Sequence, residues 1–201
     1  VAEAVELTRA LAPDPHRQLQ DPALFEGRAS DDLELLDGSV DAISREQRQA
    51  WLDELDAGAR ADEAVISATA YVSDTHSEKA SASSNGFEGN FASTSVWAGA
   101  EVTVRDEGER RPEGGYWLGA RQVKGIPGLR GLGAEALRRA KVRLGSTQGP
   151  TGRNTMIVDP QVAGRLIGAL LRSANARSIQ QGRSFWSDKE GEQLFSPTLS
   201  I

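Results

Sequence analysis

In AVISATAYVS, residues 64–73, apolar and polar side chains alternate, and this pattern indicates how the chain folds. A period of two places successive side chains on opposite faces of a β-strand. The alternation returns in FASTSVWAGAEVTV, residues 91–104, after the turn signal Asn85-Gly86. One face of this second run consists of Val96, Ala98, Ala100, Val102 and Val104, and the other of Ser95, Trp97, Gly99 and Glu101. The two runs predict neighbouring strands.

The segments around these strands predict an α+β domain. Residues 116–123 form a third strand candidate, and the charged loop 105–115, rich in Gly and Pro, separates it from the second. Residues 132–144 have helical periodicity, and Gly145 suits a left-handed C-cap. This order of elements predicts an α+β fold with a mainly antiparallel sheet and flanking helices.

Two further helices are predicted before the first strand. Ser44 and Gln47 have the spacing of a capping box for a helix that ends near residue 60. The side chains of this helix that are expected to face the core are Ala50, Trp51, Leu55 and Ala59. Residues 1–12 also show helical spacing, which Pro13 and Pro15 end.

Asp159 and Pro160 predict the start of another helix, because Asp caps the first amides and Pro is tolerated at the first helical position. Its apolar positions recur every three or four residues: Val162, Ala163, Leu166, Ile167, Leu170, Leu171 and Ala174. We expect this face to pack in a hydrophobic interior, after a short buried strand at residues 156–158. The polar positions between them offer no metal ligand and no group that moves a proton at neutral pH.

Composition excludes several classes of function. The 201 residues carry a formal net charge of −6, which disfavours nucleic acid and anionic membrane surfaces as partners. The chain contains no cysteine, so disulfides, thiolate catalysis and thiolate metal sites are excluded. No apolar run approaches the ~20 residues that cross a bilayer, and the first residues lack a signal-peptide pattern. The expectation is a soluble cytoplasmic protein.

Motifs over nearly the whole chain resemble the TldD/PmbA family, whose members have been described as modulators of DNA gyrase. The motifs are SSNGFEGNFASTS (83–95), GGYWLGARQV (114–123), LGAEALRRAKVRLGSTQGPTGR (132–153) and the order TG, VDP, AG, apolar helix, RSF, KEGEQ, FSP within residues 151–197. The resemblance implies a metallopeptidase-like protein, because TldD and TldE (PmbA) form a peptide-cleaving pair in this family. The link to DNA gyrase gains no support from the charge of the chain.

The metal motif of the family is absent from its expected place. In TldD-type members the helix after Asp159 carries HExxxH, whose ligand positions fall here on Gly168, Ala169 and Ser173. The resemblance therefore implies a TldE/PmbA-like subunit with neither a catalytic residue nor a cofactor of its own. It also implies that zinc belongs only to a TldD-like partner.

The resemblance also divides the chain into domains. It implies a central α+β domain at residues 1–148 and the beginning of a C-terminal domain at residues 149–201, which stops after the strand-like SPTLSI. We expect the chain to be an internal segment of a longer protein, although a partly described chain would look the same. Phe185 and Phe195 are expected to pack in the core of the last domain, and Trp186 to affect surface contacts only.

Other candidate chemistry is weak. His16 and His76 are far apart in sequence and lack the ligand spacing of a zinc site, so both are interpreted as solvent-facing side chains. Asp74, His76 and the nearby serines lack the turn that presents a serine nucleophile. The glycines of residues 125–133 lack the P-loop pattern and are interpreted as a linker. The basic side chains of the following helix are interpreted as a solvated face.

Peptide binding has one candidate location in the sequence. An extended peptide can add to a sheet edge through main-chain hydrogen bonds. Ser84, Asn85, Gly86 and Phe87 lie at the predicted turn beside the strands, and we assign peptide contact to them. The alternative is that Asn85-Gly86 is only a hairpin turn and that Phe87 packs beneath it.

The resemblance to the TldD/PmbA family implies a non-catalytic subunit that encloses and positions unfolded peptides for a TldD-like metallopeptidase in a heterodimer. Two alternatives stay open. The first is a homodimeric protein that binds peptides or another ligand and is derived from a peptidase. The second is a hydrolase whose catalytic residues lie beyond Ile201.

Overall fold

The computed structural model describes residues 2–12, 14, 16, 18–27 and 31–199. The chain divides into two compact units, Val1–Thr147 and Gln148–Ile201. The elements of unit 1 are α1 (Ala2–Arg9), α2 (Arg45–Ala59), β1 (Val65–Ala82), β2 (Glu88–Val104), β3 (Glu113–Ala120) and α3 (Leu129–Lys141), with 3₁₀ helices at Pro22–Phe25 and Val123–Gly125. Those of unit 2 are α4 (Pro160–Ser173) and α5 (Ala176–Gln180). The prolines expected to end the first helix, Pro13 and Pro15, lie outside the described residues.

The three strands form one antiparallel sheet in the order β1-β2-β3. β1 and β2 make a long hairpin in which Ala82 lies opposite Glu88 and Val72 opposite Ala98. One irregularity interrupts the pairing, between Val65 and Ser67. The predicted α+β fold with a mainly antiparallel sheet and flanking helices is therefore confirmed.

Two strands have limits that differ from the prediction. β2 begins at Glu88 and not at Phe91, because its pairing with β1 continues to the tight turn of the hairpin. β3 runs from Glu113 to Ala120 and does not reach Val123, because the chain turns there into a 3₁₀ helix. Alternation alone does not show these limits, since pairing and turns end a strand.

α2 and α3 pack on one face of the sheet and form the core with it. The buried side chains of β2 on this face are Val96, Ala98, Ala100, Val102 and Val104. Ser44 caps α2, and its hydroxyl accepts a hydrogen bond from the Gln47 amide at 3.1 Å. Leu55 and Ala59 are buried as predicted, whereas Ala50 is exposed because it lies on the solvent side of the helix.

The segment 125–133 is not a linker, which corrects the sequence interpretation. Its second half forms the first turns of α3, where Gly133 lies against the backbone of α2. A Cβ built on Gly133 would stand 2.1 Å from the carbonyl oxygen of Leu55, and one on Gly58 would stand 2.1 Å from that of Arg130. The glycines therefore allow two helix backbones to approach more closely than any side chain permits.

The basic face of α3 is partly paired within unit 1. Arg138 and Arg139 donate to the carboxylate of Glu135, with Nε to oxygen distances of 2.6 and 2.9 Å. The guanidinium of Arg139 also lies 4.7 Å from the ring centroid of Tyr116. Lys141 pairs with Asp62. These contacts give the basic side chains a structural role in the fold.

Glu135→Gln is expected to flatten the dependence of stability on pH in the acid range. The hydrogen bond from Arg138, followed by that from Arg139, lowers the pKa of Glu135 from 4.5 to about 2. Since the folded state holds the lower pKa, this carboxylate stabilises the fold above pH 4.5. That contribution is lost as the pH falls toward 2. Urea denaturation at several pH values checks the prediction, with Glu54→Gln as a helical control; identical pH profiles for Glu135→Gln and the unmodified chain would contradict it.

In unit 2, α4 begins as predicted. Asp159 is its N-cap and accepts from the Gln161 amide at 2.8 Å. The expectation that its apolar face packs in a hydrophobic interior is wrong for this unit, because none of its residues is buried. Residues 156–158 are not a buried strand either, and Ile157 is 95 % exposed. The physical reason is that the described part of unit 2 contains no strand against which these side chains could pack.

Trp186 is the centre of the aromatic contacts in unit 2. Its indole Nε1 donates to the carbonyl oxygen of Leu170 at 3.2 Å, and its ring lies 5.4 Å from Phe185 and 5.5 Å from Phe195. The expectation that Trp186 affects surface contacts only is therefore wrong. Phe185, which was expected to pack in the core, is 55 % exposed. Residues 196–199 of the strand-like segment SPTLSI form a turn. Its last two residues, Ser200 and Ile201, lie outside the described part.

Candidate functional site

α4 occupies the place where the resemblance locates a metal motif. Its ligand positions hold a glycine, an alanine and a serine: Gly168, Ala169 and Ser173. Zinc in proteins is bound by thiolate, imidazole or carboxylate groups, and none of these residues supplies one. Among the described residues, no three His, Cys, Asp or Glu side chains are grouped to hold a metal ion. The donor set of α4 therefore does not fit zinc.

Asp74 and His76 do not form a catalytic pair. Arg48 of α2 donates to both carboxylate oxygens of Asp74, at 2.6 and 2.7 Å, and this pairing lowers the pKa of Asp74. Nδ1 of His76 lies 2.9 Å from the carboxylate of Asp41. Both pairs join β1 to the chain around the start of α2, so their role is structural. His16 is exposed.

The candidate peptide-binding residues Ser84, Asn85, Gly86 and Phe87 form the tip of the β1-β2 hairpin. The amide of Ser83 donates to the carbonyl of Phe87 at 2.9 Å, and the amide of Gly86 donates back to the carbonyl of Ser83 at 3.0 Å. Gly86 has a φ of +88°, which glycine adopts without strain. The tip is thus a tight turn.

Residues 18–25 lie against this turn and cover part of its surface. The ring of Phe25 meets that of Phe87 edge-on, with centroids 5.0 Å apart. Nδ2 of Asn85 donates to the carbonyl of Gln20 at 2.6 Å. A shallow depression of about 240 Å³ remains between the two segments. Of the four candidates, Ser84 and Gly86 are the exposed ones.

The outer edge of β1 is a second surface suited to an extended chain. Because Ser83 and Phe87 form a hydrogen-bonded pair, odd-numbered residues of β1 bond to β2 and even-numbered ones direct their amides and carbonyls outward. Nη2 of Arg60 donates to one outward carbonyl, that of Ala68, at 2.8 Å. The sheet has no strand beyond β1 among the described residues. The outward groups from Ala70 onward can therefore pair with another strand.

The sheet face opposite the helices carries aromatic side chains that sequence reasoning did not single out. Tyr71, Trp97 and Trp117 are 52, 51 and 43 % exposed. Strand pairing brings them together, since Tyr71 lies opposite Gly99 and Gly99 opposite Trp117. We call this surface the open sheet face and define it by Tyr71, Trp97, Gly99, Glu101, Glu113, Gly115, Trp117 and Gly119. Aromatic residues at polar positions of the alternating pattern were the signal that could have revealed it.

Comparisons with known proteins extend these observations. A family model described as the PmbA/TldA metallopeptidase central domain matches residues 38–144. The model of the C-terminal domain of the same family matches residues 151–201. No curated protein matches the chain. In addition, no described helix has both the length and the apolar character that a membrane span requires.

Solved structures resemble the chain as well. One is a protein from Bacteroides thetaiotaomicron described as a candidate modulator of DNA gyrase, with 30 % identity and a TM-score of 0.88 over 96 % of this chain and 44 % of that one. Another, from Thermotoga maritima and described in the same way, has 20 % identity and a TM-score of 0.67 over 83 % and 39 % of the two chains, and so supports the fold alone. The chain spans less than half the length of either structure. By its domain matches, the chain belongs to the PmbA/TldA metallopeptidase family.

Proposed function

We propose that this chain is part of a non-catalytic, TldE/PmbA-like subunit that pairs with a TldD-like metallopeptidase and helps to enclose and position unfolded peptides. The observation that carries the proposal is the donor set of α4. Gly168, Ala169 and Ser173 stand where a zinc-binding member needs two imidazoles and a carboxylate. In this proposal the TldD-like subunit supplies the metal and the base of the peptidase complex.

The open sheet edge supports a role in holding extended peptides. An incoming strand gains affinity from main-chain hydrogen bonds, which do not depend on its sequence. The outward amides and carbonyls of β1 from Ala70 to Ala82 offer such bonds over several residues. Ser84 and Gly86 at the exposed hairpin tip continue this surface. Folded proteins have few free strand edges, so this mode of binding selects unfolded chains.

Reconstitution of peptide hydrolysis tests the proposal. The full-length protein that contains this chain is expected to bind no stoichiometric zinc in metal analysis and to leave a fluorescein-labelled unfolded casein uncut. Mixing it with the TldD-like protein of the same organism is expected to produce hydrolysis well above that of the partner alone. The physical reason is that only the partner supplies ligands for the metal, whereas both supply the walls of the binding site.

Size-exclusion chromatography of the two proteins, alone and mixed, tests whether they form a complex. Co-elution at a mass of one copy of each supports the division of roles. Cleavage by the isolated full-length protein, or stoichiometric zinc bound to it, would reject that division. A homodimer that ignores the TldD-like protein would also reject it and would favour a self-contained binding protein.

A further inference from the structure

We propose that the open sheet face is a binding platform for extended peptide segments that carry basic side chains beside apolar ones. The inference rests on the proposed function in one respect, since it takes an unfolded peptide as the ligand, and it adds the substrate class and the residues that select it. Tyr71, Trp97 and Trp117 supply the apolar contact, and Glu101 and Glu113 supply the charge. The face lies opposite the buried core, so it is separate from the residues that hold the fold together.

The indole rings of Trp97 and Trp117 lie against the backbone of glycine residues. A Cβ built on Gly119 would stand 2.6 Å from ring carbons of Trp97. One built on Gly115 would stand 2.2 Å from the six-membered ring of Trp117, and one on Gly99 would meet its Cδ1 at 2.4 Å. Glycine at these positions thus lets each ring lie close against the backbone of the sheet. With about half of the residue exposed, the ring of Trp97 offers a flat surface on which aliphatic chains and cations can stack.

The charge of the face favours a basic ligand. Glu101 lies directly opposite Gly115, the residue that the six-membered ring of Trp117 covers. Glu113 lies opposite Thr103, one row further along the same face. The paired segments 67–75, 95–103 and 113–119 contain no Lys or Arg. A Lys or Arg side chain can therefore stack on an indole while its charge lies near a carboxylate, whereas an acidic peptide is repelled.

The size of the platform fits a single extended chain better than a subunit. A fully covered aromatic side chain contributes about 150–250 Å², so three half-exposed ones offer roughly 300 Å². A stable protein interface takes about 800 Å² from each partner. A single extended peptide that crosses the three aromatic residues needs no more than the area that these residues offer. We therefore assign the face to a peptide segment rather than to a second copy of the chain.

Fluorescence anisotropy with two labelled probe peptides tests the inference on the full-length protein without its partner. Both probes are twelve-residue peptides with alternating serine, leucine and a charged residue, which is lysine in one and glutamate in the other. The lysine probe is expected to bind about tenfold more tightly than the glutamate probe. Trp97→Ala is expected to raise the Kd of the lysine probe about fivefold. Glu101→Gln is expected to reduce the preference for lysine.

Gly119→Ala is a second variant. It keeps Trp97 but moves the indole ring away from the sheet. Its Cβ must displace the indole of Trp97, so the Kd of the lysine probe is expected to rise without loss of the core. Ile157→Ala, which removes an exposed apolar side chain from unit 2, is the control and is expected to leave the Kd unchanged. Far-UV circular dichroism confirms that each variant is folded.

The outcomes separate this inference from the proposed function. Equal affinity for the two probes, or an unchanged Kd in both Trp97→Ala and Glu101→Gln, would overturn the platform even if the mixed complex hydrolyses casein. Selective binding that depends on these residues would support the platform even if no complex forms. Trp97→Ala converting a dimer into a monomer would assign the face to a second copy and overturn the inference as well.

Discussion

Gly133→Ala is expected to lower the free energy of unfolding by about 2 kcal/mol, as overpacking of a dense contact typically does. The new Cβ would stand 2.1 Å from the carbonyl oxygen of Leu55 and 2.7 Å from the amide nitrogen of Ala59. Both obstacles belong to the backbone of α2, so no side chain can rotate away. α2 and α3 must separate, which loosens their shared contact with the sheet. This loss exceeds the ~1 kcal/mol that alanine gains over glycine inside a helix.

Urea denaturation followed by tryptophan fluorescence measures this change. Gly131→Ala is the matched control, because it lies on the same helix and a Cβ there meets no atom within 4 Å. The control is expected to raise the free energy of unfolding by up to about 1 kcal/mol through helix propensity alone. A stabilising effect of Gly133→Ala equal to that of the control would show that the helices do not meet at this glycine.

Thr94→Val is expected to cost about 2 kcal/mol, although the two side chains have nearly the same shape. Thr94 is buried in β2, and its hydroxyl donates to the carbonyl of Arg121 at 2.8 Å and accepts from the amide of Asp37 at 2.9 Å. Its own amide donates to the carbonyl of Leu35 at 2.8 Å. One residue thus joins the chain before α2, the central strand and the chain after β3. Valine leaves both hydroxyl partners unsatisfied.

Thr94→Ser separates the hydroxyl from the methyl group. It retains the hydrogen bonds and loses one buried methyl, so the expected cost is only about 1 kcal/mol. Equilibrium denaturation of the two variants under the same conditions gives the comparison. If Thr94→Ser were the more damaging variant, packing rather than hydrogen bonding would hold these three segments together.

Both stability predictions concern parts of unit 1 that fix the sheet on which the proposed binding surfaces lie. The α2-α3 contact sets the core face, and Thr94 links β2 to the segments before α2 and after β3. Neither residue belongs to the outer edge of β1 or to the open sheet face. A folded variant at either position should therefore keep its preference for the lysine probe, which gives binding experiments a further reference.

Local patterns predicted much of the fold because they act over a few residues. The alternation of residues 64–73 and 91–104 is typical of a strand with two different faces, and it grouped Val96, Ala98 and their neighbours on the face that the structure buries. Ser44 and Asp159 were found as N-caps because their side chains bond to amides two or three residues ahead. The segment 125–133 was misinterpreted because closely spaced glycines look the same in a loop and in a tight helix contact.

Residue identity and short spacing were enough to predict most strands and helices, the family resemblance and the lack of metal-ligand side chains at Gly168, Ala169 and Ser173. The tertiary structure was needed to show which residues of different segments meet. It placed Trp97 on Gly119 and Trp117 on Gly99 and Gly115, joined Thr94 to two distant segments, and left the apolar face of α4 unburied within unit 2. The physical reason is that strand pairing and burial depend on which partners are present, and those partners lie tens of residues away along the chain.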